Sequence, residues 1–205
     1  MAAAANEFEI VVICSGNRFR SPLVAAYLRE ATKGLPVRIG SAGTLDLGGV
    51  PVLEGAAQAA RELGLDLSDH LSRYVGSVPL GEADLVIGFE RMHVTTAVID
   101  GGAMRDRTFT LPELVSLLEQ YEPPEASEPV ERVRLAIAQA DRARGRDSTL
   151  LVPEVADPIG TSAKEQRNTA NELVDLAGRL VTELFGRPVE RTSRRPWRER
   201  LRGRG

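Results

Sequence analysis

A nine-residue stretch near the amino terminus places a thiol and an arginine at a spacing that could do chemistry. It reads Cys14-Ser15-Gly16-Asn17-Arg18-Phe19-Arg20-Ser21-Pro22. In a tight loop that leads into a helix, backbone N–H groups converge on one point and the helix N-terminus adds partial positive charge, so the loop binds anions. The same field favours the thiolate form of Cys14, which is the nucleophilic form. The stretch therefore predicts a cysteine nucleophile beside a bound oxyanion.

The other residues of the loop fit the same interpretation. Arg20 presents a planar guanidinium that can hold two phosphate oxygens at once, which suits a transition state with charge on its equatorial oxygens. Gly16 allows close backbone approach, and Asn17 tolerates the left-handed conformation that a ring of inward N–H groups requires. A lone cysteine after a strand is usually a small core residue, but the combination of Gly, Asn, Ser and Pro at these places argues against that reading.

The elements around the loop predict how the loop is positioned. Residues 9–13 form a β-branched run typical of a central parallel strand, and Ser21 with Pro22 predicts an N-cap followed by the first turn of a helix. Further strands are predicted at residues 37–41, 84–88 and 107–111, with a helix at 53–63. This alternation favours an α/β fold with a right-handed, doubly wound parallel sheet and helices on both faces.

The carboxyl-terminal half predicts two more helices. Residues 122–128 resemble an exposed connection, after which Val130, Val133, Ile137 and Ala140 recur at helical spacing. Leu173, Leu176, Leu180 and Leu184 mark a closing helix over 165–185. We expect residues 1–185 to form a single domain with an inserted or extended segment around 102–150. That segment is either a solvated helix that lengthens a loop or a substrate-docking element.

Composition limits the classes of protein that the chain can be. Among 205 residues with a net charge of −3, residues 186–205 carry eight Arg and two Glu, a net +6, which leaves about −9 for the rest. This asymmetry argues against a uniformly basic nucleic-acid binder and predicts a disordered basic tail at 186–205. The single cysteine forbids an internal disulfide. With neither a basic leader nor a long apolar run, we expect a cytoplasmic protein without a membrane span.

Residues 14–22 resemble the signature of low-molecular-weight protein tyrosine phosphatases, a group that shares its fold with some arsenate reductases and with protein arginine phosphatases. Residues 41–44, Ser-Ala-Gly-Thr, and 69–73, Asp-His-Leu-Ser-Arg, resemble further motifs of that family, and Asp157-Pro158 resembles its acid loop. The likeness covers about residues 8–100 and 150–185. It implies a three-layer α/β sandwich of the phosphotyrosine protein phosphatase I type, with a four-stranded parallel sheet flanked by helices. It implies no metal and no organic cofactor.

The resemblance also implies roles for individual residues. Cys14 would attack phosphorus to form a phosphocysteine, Arg20 would hold the phosphate, and Asp157 would act as general acid and then as base. The phosphate would be bound by Ser15, Gly16, Asn17, Arg18, Phe19 and Arg20. Ser21, Ser41 and His70 would support the loop. Without the resemblance, Asp157 could equally be a loop residue that starts a turn before proline.

Several positions depart from the family pattern. Phe19 stands where many members have a second cysteine, so a neighbouring thiol cannot protect Cys14. Arg18 matches neither the isoleucine common in tyrosine phosphatases nor the threonine of arginine phosphatases. No aromatic residue follows Thr44, and Ile159 stands where a tyrosine is common. These departures weaken the assignment of phosphotyrosine but leave the hydrolytic chemistry intact.

The sequence therefore predicts a cysteine-dependent phosphatase of phosphate monoesters, with protein phosphotyrosine as the leading substrate. Its partner would be a phosphorylated protein or a small aryl phosphate, and the oligomeric state stays open. Two alternatives remain: an arsenate reductase that uses a small-molecule thiol, and a non-catalytic phosphate-binding regulatory module.

Overall fold

A computed structural model of the chain describes residues 7–144 and 153–187. The basic tail predicted at 186–205 lies outside the described residues from position 188 onward.

The centre of the structure is a four-stranded parallel sheet in the order β2-β1-β3-β4. Its strands are β1 Phe8–Cys14, β2 Val37–Gly43, β3 Leu85–Gly88 and β4 Thr108–Thr110. Ile10 of β1 pairs with Ile39 on one side and with Leu85 on the other, so β1 is an interior strand. This confirms the predicted four-stranded parallel sheet.

Six helices surround the sheet within the described residues. They are α1 Arg20–Ala31, α2 Glu54–Glu62, α3 Arg91–Ile99, α4 Leu111–Leu118, α5 Pro129–Ala143 and α6 Ala163–Phe185. Side chains of β1 alternate between two cores: Ile10 and Val12 join the larger cluster, whereas Val11 and Ile13 join a smaller one. Apolar side chains cover both faces of β1, which explains its β-branched run. The sheet and its flanking helices confirm the predicted layered α/β fold.

The start of α1 differs from the sequence prediction. The helix begins at Arg20, and its N-cap is Phe19, which makes no side-chain cap. Ser21 was predicted as the N-cap, and this is wrong because its hydroxyl bonds to Cys14 Sγ and accepts from Asn17 Nδ2 instead. The sequence patterns also gave no indication of α3 and α4, which both begin with capping boxes.

The two carboxyl-terminal helices bury the apolar positions that their periodicity indicated. In α5 these are Val130, Val133, Ile137 and Ala140, and in α6 they are Leu173, Leu176, Leu180 and Leu184. Both helices pack in the larger core together with α4. Over residues 7–144 and 153–187, no helix is long and apolar enough to cross a membrane.

Candidate active site

The predicted anion-binding loop lies at the carboxyl edge of the sheet. It runs from Cys14, the last residue of β1, to Arg20, the first residue of α1. Asn17 adopts a left-handed conformation with φ 52°, as the sequence indicated. Gly43 at the end of β2 lies directly behind the loop, where a Cβ atom would stand 2.8 Å from the carbonyl oxygen of Ser15. Glycine is therefore required for β2 to support the loop at this distance.

The Cys14 thiol sits in a buried set of hydrogen-bond donors. Its side chain is 3% exposed, and Sγ accepts from the backbone N–H of Asn17 at 3.2 Å. Ser21 Oγ lies 3.0 Å from Sγ and itself accepts from Asn17 Nδ2 at 2.9 Å. Ser21 can therefore direct its proton at the sulfur, so that two hydrogen-bond donors can hold the sulfur in place.

A second set of contacts fixes the strained residue of the loop. Asn17 Nδ2 also donates to Ser41 Oγ at 3.0 Å, and Asn17 Oδ1 accepts from the backbone N–H of Arg73 at 2.9 Å. His70 Nε2 lies 2.8 Å from the Asn17 carbonyl oxygen, so it must carry the proton that it donates. Burial lowers the pKa of His70, and the nearby Arg29 and Arg73 act in the same direction. The structure thus brings Asn17, Ser41 and His70 together.

Arg20 is 1% exposed and holds groups from distant parts of the chain. Its Nη1 donates to Glu90 Oε1 at 2.6 Å and to the carbonyl oxygen of Val155 at 2.8 Å. Its Nη2 donates to Asp157 Oδ2 at 2.7 Å and to Ser15 Oγ at 3.2 Å. The guanidinium is thereby fixed beside the loop with its Nη atoms available to an anion that displaces a carboxylate.

Asp157 reaches this site from a connection far along the chain. That connection is anchored where the backbone N–H of Val155 donates to the Phe89 carbonyl oxygen at 3.0 Å. Asp157 Oδ1 accepts from the backbone N–H of Ile159 at 3.1 Å, while Oδ2 pairs with Arg20. The carboxylate is partly exposed, with 30% of its side chain accessible, so it faces solvent as well as Arg20.

Two residues of this site were missed by sequence reasoning. Glu90 pairs with Arg20, and His93, which is fully buried, places Nε2 3.1 Å from Ser15 Oγ. Both follow β3, whose carboxyl end lies at the same sheet edge as Cys14. Polar residues just after a buried parallel strand are candidates for such an edge, and this was the available signal.

The segments that meet at the loop carry four exposed apolar side chains, which we call the aliphatic rim. Their exposed fractions are 53% for Leu45, 38% for Leu47, 55% for Met92 and 53% for Ile159. Leu45 N–H donates to the Ser15 carbonyl oxygen at 2.9 Å, which places this rim next to the loop. Arg18 lies at the rim too, where its Nε donates to the carbonyl oxygen of Pro51 at 2.9 Å.

The side chain of the remaining loop residue, Phe19, belongs to the larger core and not to the site. It is 2% exposed.

In the part of the chain that the structure describes, no group of three or more His, Cys, Asp or Glu side chains is arranged to hold a metal ion.

Comparison with known proteins gives relatives that are named as two kinds of protein phosphatase. A protein named probable low molecular weight protein-tyrosine-phosphatase EpsP, from Ralstonia solanacearum, is 36% identical over 38% of this chain and 52% of its own length. The match thus spans about half of that relative. The protein-arginine-phosphatase of Bacillus subtilis (strain 168) is 30% identical over 53% of this chain and 73% of its own length.

Solved structures agree on the fold. A structure of a YwlE mutant from Bacillus subtilis superposes with a TM-score of 0.65 at 25% identity, covering 87% of this chain and 99% of that one. The low molecular weight protein tyrosine phosphatase of T. tengcongensis gives 0.64 at 24% identity, covering 86% and 99%. The family model described as low molecular weight phosphotyrosine protein phosphatase matches residues 9–142. With the thiol, the arginine and the sheet-edge loop that this family model spans, the chain belongs to the low molecular weight phosphotyrosine protein phosphatase family.

Proposed function

We propose that this protein hydrolyses phosphate monoesters through a phosphocysteine intermediate and that protein phosphotyrosine is its substrate class. One observation carries the proposal: Cys14, Arg20 and Asp157 converge on a single loop although 137 residues separate Arg20 from Asp157. A nucleophile, an oxyanion clamp and a general acid are the groups that stepwise phosphoryl transfer requires.

In the first step, the Cys14 thiolate attacks phosphorus opposite the ester oxygen. A sulfur–phosphorus bond forms while the phosphorus–oxygen bond breaks, and Asp157 gives its proton to the departing oxygen. Arg20 and the backbone N–H groups of residues 15–20 hold the equatorial oxygens. In the second step, water attacks phosphorus and Asp157 takes its proton. The sulfur–phosphorus bond then breaks, which releases phosphate and restores the thiolate.

Asp157 has to separate from Arg20 before its carboxyl group can act as the general acid. Its Oδ2 pairs with Arg20 Nη2, the atom that a phosphate oxygen would use. An incoming phosphate monoester that carries one proton competes for this donor. Its proton passes to the displaced Asp157 carboxylate, which then faces the leaving oxygen as a carboxylic acid. Glu90 stays on Nη1 at 2.6 Å, so the guanidinium keeps its orientation during the exchange.

The aliphatic rim supports a phosphorylated side chain of a protein as the substrate. Leu45, Leu47, Met92 and Ile159 are exposed on segments that meet at the charged loop, which suits a phosphate carried on an apolar ring. Aliphatic walls lack the aromatic stacking that discriminates among rings, worth about 0.5–1.5 kcal/mol for each pair. We therefore propose a permissive pocket that hydrolyses aryl phosphates as well as phosphotyrosine peptides.

A turnover screen with the purified protein tests the proposal. Phenyl phosphate, a phosphotyrosine peptide, phosphoarginine, and arsenate with a small thiol are each compared between wild type and Cys14→Ser. We expect hydrolysis of the two aryl phosphates by wild type and none by Cys14→Ser, with orthophosphate still bound by the variant. Arsenate reduction without ester hydrolysis would favour the reductase alternative, and binding without any turnover would favour a regulatory module.

Arg18 is the residue on which the choice between phosphotyrosine and phosphoarginine rests. Its charge at the rim repels the guanidinium part of phosphoarginine and attracts acidic peptides, and salt weakens both effects. Arg18→Thr should therefore raise kcat/KM for phosphoarginine relative to phosphotyrosine. If wild type already prefers phosphoarginine, the proposed substrate class is wrong while the phosphatase chemistry stands.

We also propose a cytoplasmic location. The mechanism needs Cys14 as a thiol, and Phe19 offers no neighbouring thiol to protect it by a reversible disulfide. A reducing compartment would keep the nucleophile active. Cell fractionation of the tagged full chain tests this, and enrichment in an oxidising compartment would contradict it.

A further inference from the structure

His93 is a fully buried histidine whose two ring nitrogens both have partners at the edge of the site. Nδ1 accepts from the backbone N–H of Glu90 at 3.1 Å and from that of Phe89 at 3.3 Å. Nε2 lies 3.1 Å from Ser15 Oγ. No step of the proposed reaction described above uses this histidine.

The contacts of Nδ1 determine the tautomer. A nitrogen that accepts two backbone N–H groups cannot carry a proton, so the proton of the neutral ring resides on Nε2. Burial lowers the pKa of His93 to about 4, and Arg20 acts in the same direction, so the ring is neutral near pH 7. Nε2 therefore donates to Ser15 Oγ.

Ser15 Oγ consequently receives two hydrogen bonds. One comes from His93 Nε2, and the other comes from Arg20 Nη2 at 3.2 Å. A hydroxyl has two acceptor lone pairs and a single proton, so this arrangement leaves the proton of Ser15 to be donated elsewhere. Ser15 Oγ and Asp157 Oδ2 both accept from Nη2 of Arg20. The Ser15 hydroxyl therefore lies next to the place where an incoming phosphate oxygen would replace the Asp157 carboxylate.

We propose that His93 and Ser15 are a positioning pair for the phosphate: His93 orients the Ser15 hydroxyl as a donor to a bound phosphate oxygen. The same contact keeps Arg20 Nη2 in place once Asp157 has left it. The inference rests on the proposed phosphatase function for its catalytic consequence, but its binding consequence can be measured without turnover.

Two substitutions separate this role from the structural role of His93 in capping α3. In His93→Asn, the amide oxygen is placed like Nδ1 and can still accept from the backbone of Glu90, but nothing reaches Ser15. In His93→Gln, the amide nitrogen is placed like Nε2 and can still donate to Ser15, and glutamine at this helix position also serves a capping box. His93→Gln should therefore rescue what His93→Asn loses.

The test compares four variants of the full chain: His93→Asn, His93→Gln, Ser15→Ala and the double variant Ser15→Ala with His93→Asn. Orthophosphate affinity is measured by calorimetry, KM and kcat with phenyl phosphate, and thermal unfolding for each. Loss of one hydrogen bond to a charged oxygen should weaken orthophosphate binding by about tenfold or more in Ser15→Ala. His93→Asn should lose a similar factor, His93→Gln much less, and the double variant no more than Ser15→Ala alone.

Different outcomes would overturn the inference and the proposed function separately. Orthophosphate affinity equal to wild type in His93→Asn, together with a lower unfolding temperature, would make His93 a purely structural cap. Additive losses in the double variant would show that Ser15 and His93 act independently. Wild type that binds orthophosphate but hydrolyses no ester would refute the phosphatase proposal, while the binding pattern among the variants would still decide this one.

Discussion

Arg20 is the residue that joins distant segments of the chain at the site. It is a charged side chain in a nearly dry environment, where two carboxylates from different segments compensate it. Removing one partner of a buried ion pair is costly because it leaves an uncompensated charge. Neither carboxylate is therefore dispensable. Glu90 is fixed as the N-cap of α3, whereas Asp157 lies on a connection without helix or strand and can change partners. We therefore assign different roles to the two carboxylates.

Asp157→Asn should therefore affect the chemical step in proportion to the need for a proton. An amide cannot protonate a leaving oxygen, and general-acid catalysis typically contributes about 10²–10⁴-fold. We expect a loss of this size with phenyl phosphate and a much smaller loss with an aryl phosphate whose leaving group is a stable anion. The measurement is kcat for a series of leaving groups, with Glu154→Gln, the same carboxylate-to-amide change on the same connection, as the matched control. A loss that does not vary along the series would show that Asp157 only shapes its loop.

At the scale of single residues, the sequence could predict the groups that belong to a continuous motif. Cys14, Asn17 and Arg20 occur at a fixed spacing in one stretch, and in the structure all three lie where β1 joins α1. Glu90 and His93 were missed because each is separated from Arg20 by some seventy residues. A single Glu or His in a sequence carries no spacing that would reveal a partner so far away. Their roles depend on the parallel sheet bringing the ends of β1 and β3 together.

Among the elements, the beginning of α3 combines helix capping with support of the site. His93 accepts the backbone N–H of Glu90 there, and a Cβ atom on Gly88 would lie 2.8 Å from the Cβ of His93. The end of β3 therefore approaches the histidine as closely as a glycine allows. Because the imidazole is buried here, its neutral form contributes to the free energy of unfolding.

Stability should consequently depend on pH through His93. Its pKa is lowered from 6.5 to about 4, so the unfolded chain binds the proton more readily than the folded chain does. The stabilisation by the neutral ring is complete above about pH 6.5 and is lost as the pH falls towards 4. A shift of this size corresponds to roughly 3 kcal/mol.

The measurement is denaturant unfolding of wild type and His93→Asn between about pH 7 and pH 4. Carboxylates that titrate in this range contribute to both proteins, so the difference between the two curves isolates the histidine. We expect the advantage of wild type in free energy of unfolding to shrink by roughly 3 kcal/mol over that range. An advantage that is constant with pH would mean that His93 is not buried as a neutral ring in solution.

The end of α5 is joined to β4 by one arginine. The guanidinium of Arg144 lies 3.7 Å from the centroid of the Phe109 ring, and Nη2 donates to the Thr108 carbonyl oxygen at 2.8 Å. Nη1 donates to the carbonyl oxygen of Arg105 at 3.1 Å. These contacts satisfy backbone acceptors at the beginning of the edge strand and cover the face of a core aromatic ring.

Arg144→Ala should therefore lower the free energy of unfolding by about 2 kcal/mol, because a stacking contact and hydrogen bonds to backbone carbonyls are lost together. Arg144→Lys should recover only part of this, since an ammonium group cannot stack and bond as a planar fork. Arg142→Ala is the matched control on the same helix, as its side chain is exposed and a change within about 0.5 kcal/mol is expected. Equal losses at both positions would contradict the role given to Arg144.

A helix or strand could be predicted from the sequence where its own residues show a regular apolar pattern. The β-branched run of β1 and the periodic apolar positions of α6 indicated both elements, because each buries a regular pattern. In α3, only His93 and Ala97 are buried, so no apolar stripe indicated a helix there. Likewise, β4 has three residues, and its pairing with β3 rather than its composition makes it a strand.

Across the whole molecule, the site is the place where separate parts of the fold meet. The loop 14–20 contacts β2 through Ser41, the 69–73 segment through His70, the start of α3 through His93, and the connection of Asp157 through Arg20. These segments are distant in sequence, and in the free protein they meet around the loop. Among the described residues, the carboxylates that pair with Arg20 there are Asp157 and Glu90. An anion bound there should add contacts that exist only in the folded state.

Orthophosphate should for this reason stabilise the entire fold rather than the loop alone. A ligand present at 100 times its Kd, bound only by the folded state, raises the free energy of unfolding by about 2.7 kcal/mol. For a chain of this size the Tm should rise by roughly 5–10 °C, since each kcal/mol corresponds to about 2–4 °C. The measurement is thermal unfolding at a series of orthophosphate concentrations, with sodium chloride at matched ionic strength as the control. Cys14→Ser should retain the rise because the donors remain, whereas Arg20→Lys should lose most of it because its point charge cannot replace the fork. A rise of equal size in chloride, or calorimetric binding of orthophosphate without any rise in Tm, would show that the anion-binding loop does not couple the surrounding segments.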